Sequence, residues 1–140
     1  MAVNVKPIFI KSGGNASVLI NAANTSFNGS GALFELLKGL ADGTRIEGVR
    51  FIPSQSTVGA IAAKVFRVYI TDTSGLNPLP YGEIAMTSST RSDTAAATII
   101  DYYFPQPIVL AFGQKIFVSQ SVRATAADDT VAHAIGFGNY

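Results

Sequence analysis

The sequence predicts an all-β protein, an antiparallel β-sandwich of jelly-roll type, formed as a single domain over residues 1–140. Three observations carry this expectation. Val, Ile, Thr, Phe and Tyr are gathered into short runs, the composition of pleated and half-buried strands. Clusters of Gly, Asn, Asp and Ser separate the runs and supply the residues that tight turns and positive φ require. The spacing of runs and turns is that of a sandwich or barrel.

Taken in order, strands are predicted over residues 3–10, 17–22, 32–37, 44–52, 64–71, 82–87, 98–104, 115–122 and 131–137. The breaks include Ser12-Gly13-Gly14-Asn15, Asn28-Gly29-Ser30-Gly31, Asp42-Gly43, Ser74-Gly75-Leu76-Asn77-Pro78 and Asp128-Asp129, the last read as a solvated turn. Residues 34–40 compete as a short helix, because Leu33, Leu36, Leu37 and Leu40 fall at helical spacing, but strand is the preferred reading. Phe66, Val68 and Ile70 alternate with Val65, Arg67, Tyr69 and Thr71, so this strand covers a core with one face. Around Ile46 the alternation changes phase: Ile46 points with Gly48 whereas Val49 points with Phe51. A bulge at Gly48 reconciles the two halves with one core. Residues 54–63 and 88–97 read as irregular loops open to contacts.

Composition narrows the function. The chain is 48% hydrophobic and only 14% charged, against about a quarter charged in an average domain. A surface so short of charge is disfavoured on a free monomer and common where subunits meet. Ten basic and nine acidic residues leave a formal charge of +1, too little to draw nucleic acid or anionic lipid over a distance. With no Cys and one His there is neither a disulfide framework nor a zinc ligand set, and synthesis in a reducing compartment follows. No run approaches the roughly 18 to 20 apolar residues of a membrane span, and Lys6 and Lys11 around Pro7-Ile8-Phe9-Ile10 do not make a signal peptide.

Catalytic constellations are weak. His133 is the only imidazole, and its place between Ala132 and Ala134 in a strand reads as packing or interface, not as half of a Ser–His couple. Glu35, Glu47, Glu83, Asp93 and Asp101 could pair as in glycoside hydrolysis, but Glu47 between Arg45 and Arg50 reads as an ion-pair residue. Gly13-Gly14 and Gly136-Phe137-Gly138 lack the helix and the Lys-Ser/Thr of a phosphate cradle. No catalytic residue, metal or cofactor is expected. Tyr69, Tyr81, Tyr102, Tyr103, Phe104 and Phe112 read first as core and interface rings, and second as a stacking platform for sugar or base.

Gly43-Thr44-Arg45-Ile46-Glu47-Gly48-Val49-Arg50, then Val65-Phe66-Arg67-Val68-Tyr69-Ile70, then Pro107-Ile108-Val109-Leu110-Ala111-Phe112-Gly113-Gln114-Lys115-Ile116, and last Gly136-Phe137-Gly138-Asn139-Tyr140 occur in an order that resembles small virion proteins of tailed bacteriophages. The likeness spans residues 43–140. Phe112 stands where Pro or Ala is customary, and Asn139 where an acidic residue is. The resemblance implies a jelly-roll-like structural protein of the virion, made in the host cytoplasm, that decorates or cements the head. A neck, tail or fibre-base part is the alternative. Its partners would be the major capsid or other virion proteins and further copies of itself, with a trimer favoured.

Terminal segments fray unless they are held. Residues 1–11 therefore read either as an N-terminal arm that adds a strand to a neighbour or as a strand within the protein's own sheet, and Val3, Val5, Phe9, Phe137 and Tyr140 are the candidate interface residues. The rivals from other classes are a carbohydrate-binding module for host attachment, using Tyr81, Tyr102, Tyr103 and Phe104, and a small glycan hydrolase.

Overall fold

A computed structural model describes residues 10–54, 58–125 and 128–140. Among them the chain is all β, with no helix. In chain order the strands are β1 (Ser12–Gly13), β2 (Ser17–Ile20), β3 (Phe34–Lys38), β4 (Thr44–Pro53), β5 (Gly59–Ile61), β6 (Lys64–Ile70), β7 (Leu79–Met86), β8 (Ser89–Arg91), β9 (Ile100–Leu110), β10 (Lys115–Gln120), β11 (Thr130–Ile135) and β12 (Gly138–Asn139). All pair antiparallel. The first sheet runs β1-β12-β4-β11-β2 with β9 also paired to β4, the second runs β3-β10-β6-β7, and β5 and β8 form a short ribbon.

One buried cluster joins the two sheets: Ile20, Val49, Phe51, Phe104 and Ala132 from the first, and Leu37, Phe66, Val68, Ile116 and Val118 from the second. At its centre the Phe51 and Phe66 rings stack 4.3 Å apart and within 2° of parallel. Among the described residues no helix is long and apolar enough to cross a membrane.

Residues 34–38 are strand, and the leucine spacing that imitates a helix has a structural cause. The register against β10 skips Leu36, between the pairs Ile116–Leu37 and Phe117–Glu35. This bulge turns the consecutive Leu36 and Leu37 both inward. The irregularity expected at Gly48 is present: Thr44 and Ile46 are buried before it and Val49 and Phe51 after it, and the register against β9 shifts between Ile46 and Gly48. A Cβ on Gly48 would lie 2.5 Å from the Tyr102 carbonyl oxygen.

Several expectations are corrected. β9 continues past residue 104 to Leu110, because Pro105 and Pro107 sit in the stretch that bulges opposite Glu47, where a missing N–H forfeits no ladder bond. β7 begins at Leu79 and accommodates Pro80 because it is an edge strand. The loops at 54–63 and 88–97 contribute the β5–β8 ribbon. The strand predicted over residues 3–10 lies outside the described residues except for Ile10.

The two outer faces differ. Residues 21–33, between β2 and β3, lie across the second sheet: the Asn24 N–H donates to the Gln120 carbonyl (2.8 Å), Arg67 Nη1 donates to the Asn24 carbonyl (3.4 Å), and the Tyr69 hydroxyl donates to the Ser26 carbonyl (3.5 Å). Arg67 and Tyr69, which alternate with the core residues of β6, are therefore buried as well. The Asp128-Asp129 turn is not solvated at its first residue. Asp128 is buried, with Oδ1 2.5 Å from Lys64 Nζ and Oδ2 accepting from the Ala124 N–H. Gln120 Oε1 accepts from Lys64 and from the Thr130 hydroxyl. Charges are buried here because each meets an opposite charge and further hydrogen bonds.

Candidate functional site

The outer face of the first sheet has no such strap among the described residues. Strand alternation and register build it in rows that run across the strands. Leu19 of β2 faces Val131 of β11, which faces Ile52 of β4. Ile99, just before β9, lines the same hollow as Ile52. Leu19 and Ile99 are about half exposed. The next row is Ser17, His133, Arg50 and Asp101, and the third is Ile135, Gly48 and Tyr103. An apolar row thus lies beside a polar row on this face.

In the polar row Arg50 grips Asp101 with both arms, Nε to Oδ1 at 2.6 Å and Nη2 to Oδ2 at 2.8 Å. The hydrogen bond from Arg50 holds the Asp101 carboxyl below its ordinary pKa, and the same bond raises Arg50. Ser17, His133 and Asp101 share one row, yet Arg50 stands between His133 and Asp101 and occupies both carboxylate oxygens. The imidazole is left without the acid that would orient it. Three of the other four candidate acids are likewise engaged, Glu35 with Lys115, Glu47 with Arg45 and Glu83 with Arg67, and Asp93 lines the hollow beside Ile52 and Ile99.

A second apolar surface lies at one end of the molecule, where three loops meet. Gly113 N–H donates to the Gly39 carbonyl, and Gly75 and Gly113 approach each other and Thr73 closely. Leu40, Leu76 and Phe112 stand exposed on these loops, with Leu79 and Val109 on the strands beside them. The nearby Asp72 carboxylate is turned into its own loop, accepting from Ser74 N–H and hydroxyl, Leu76 N–H and the Asn77 amide. These bonds, the Ser74 hydroxyl first, lower its pKa from 3.8 to about 2.

Of the residues singled out from sequence, Tyr140 reaches this end, its N–H donating to the Gly43 carbonyl, while Phe137 packs against the core beside Gly14. Val3, Val5 and Phe9 lie outside the described residues. The proposed platform rings are not co-facing. Tyr81 and Tyr102 meet Phe104 edge-on, at 84° and 80°, Phe104 is buried, and Tyr103 alternates to the outer face of β9. Burial, and next the neighbouring Tyr81, raise the Tyr102 pKa. Leu19, Val131 and Ile52 were not singled out, because their alignment exists only once three strands are in register. Compared with known proteins, the chain matches no family model and no curated sequence.

Proposed function

We propose that the protein is a structural subunit of a tailed-phage virion, an auxiliary head or decoration protein built as a jelly-roll-like sandwich. It works by contact and not by catalysis. The observation that carries this reading is the outer face of the first sheet, uncovered among the described residues, with its apolar Leu19–Val131–Ile52 row. Four strands about 4.8 Å apart and three rows about 6.8 Å apart cover roughly 400 Å². That is about half of what one partner buries in a standard stable interface. Such a face makes weak contacts singly and firm ones when symmetry repeats them. Packing it against the apolar loop end of the next copy is a head-to-tail contact, the kind that closes rings, and a trimer is the ring favoured.

Light scattering over a range of concentrations tests this, first alone and then with purified phage head shells. A homo-oligomer or saturable shell binding, lost in Leu19→Asp/Val131→Lys with the unfolding midpoint unchanged, is expected. A monomer at every concentration that ignores shells overturns the proposal.

A further inference from the structure

On the opposite side of the molecule, where residues 21–33 cross the second sheet, Phe27, Arg67, Pro80, Tyr81, Gly82 and Glu83 line a hollow of about 310 Å³. That is the lower end of the range for small-ligand sites. Arg67 comes from the outward row of β6 and its side chain is 8% exposed. Its guanidinium is fixed on three sides: Nε donates to Glu83 Oε2 at 3.1 Å, Nη1 donates to the Asn24 carbonyl, and its carbon lies 4.5 Å from the centre of the Phe27 ring. Nη2 has no partner and is not sealed from solvent. Glu83 is 61% exposed on its side chain and uses only Oε2 on Arg67, so Oε1 is a free acceptor.

The rings around this pair are exposed and yet held in place. Phe27 is 70% and Tyr81 41% exposed, yet neither is loose: the first lies on the Arg67 guanidinium and the second is held edge-on by Phe104 at 5.3 Å. A free donor beside a free acceptor, flanked by two positioned rings, is the chemistry that recognises adjacent hydroxyls on a ring with apolar C–H faces. The charges of Arg67 and Glu83 cancel, so a carboxylate ligand meets Glu83 and a cation meets Arg67. A neutral ring meets neither penalty.

We infer that this hollow binds one neutral sugar ring of a glycan, with Glu83 Oε1 and Arg67 Nη2 on vicinal hydroxyls and Phe27 and Tyr81 against its faces. The site lies on the face turned away from the first sheet, so a subunit docked by that sheet still presents it.

The test is to titrate the isotope-labelled full chain with D-galactose, D-mannose and N-acetyl-D-glucosamine in turn, following backbone amide shifts. At the affinity per atom of small ligands, a sugar ring binds with a dissociation constant of about 1–10 mM. Saturable shifts at Phe27, Gly82 and Glu83 with at least one sugar are expected, weakened about tenfold by Phe27→Ala and by Glu83→Gln, and unchanged by Leu19→Asp. Acetate should not compete. No saturable shift with any of the three sugars, shifts that survive Phe27→Ala, or binding of acetate in their place overturns the inference. None of these results depends on whether the chain self-associates.

Discussion

Lys64→Met is the sharpest test of how this fold tolerates charge in its interior. Lys64 and Asp128 have side chains 0% and 2% exposed, and their charged atoms are 2.5 Å apart. Removing the ammonium strands the Asp128 carboxylate with the Ala124 N–H as its remaining donor, and Gln120 Oε1 keeps only the Thr130 hydroxyl. Breaking a buried pair from one side in this way costs about 3–5 kcal/mol. That is a large share of the roughly 5–15 kcal/mol by which a domain is stable, and on the order of 10 °C in melting temperature. Adding Asp128→Asn to Lys64→Met neutralises the stranded charge while keeping an acceptor for the Ala124 N–H, and should return about 1–3 kcal/mol. Urea unfolding of the wild type, both single variants and the double variant gives the coupling directly. A Lys64→Met loss under about 1 kcal/mol, or a double variant no more stable than Lys64→Met, would refute the reasoning.

Gly82→Ala places a Cβ 1.9 Å from the Tyr102 hydroxyl oxygen and should destabilise by about 1–3 kcal/mol, the usual range for overpacking. Tyr102→Phe in the same chain removes that oxygen and should restore most of the loss, as thermal melts of the three variants would show. Acid should weaken the fold through Asp72. Its pKa falls from 3.8 to about 2 on folding, so its contribution is complete above 3.8 and is lost as pH drops toward about 2. Asp72→Asn should flatten the stability–pH curve over that interval and leave its shape near neutrality unchanged. Phe51→Ala removes one ring of the central stack and should cost about 3–5 kcal/mol by denaturant titration.

What could be read from sequence was local. The alternation of Phe66, Val68 and Ile70 identified β6, and the phase change around Gly48 identified the irregularity in β4, because both depend only on which neighbours share a face. What could not be read depends on residues far apart in the chain. Asp128 looked like half of a solvated turn because its partner Lys64 lies in a distant strand. Arg67 looked like the polar side of a half-buried strand, since nothing local shows that residues 21–33 return to cover it. Phe27, set among turn residues, carries no strand signal, and its hollow exists only through that crossing. The leucines of β3 kept a helix in competition with the strand that is present: a bulge and a helix turn both bring successive apolar residues to one side.

The pairing of β4 has a consequence for how the protein is made. Its three neighbours in the first sheet, β9, β11 and β12, all come from the final third of the chain, so during synthesis β4 emerges long before any strand that hydrogen-bonds to it, although Phe66, which stacks on Phe51, follows soon after. At about 5–20 residues per second the wait lasts several seconds, and nonlocal pairing of this kind is intrinsically slow once it can begin. The nascent chain must therefore be kept from its own copies while β4 stands alone. Overproduction that outruns closure of the first sheet should yield aggregates seeded by that strand, even though the finished fold is well packed around it.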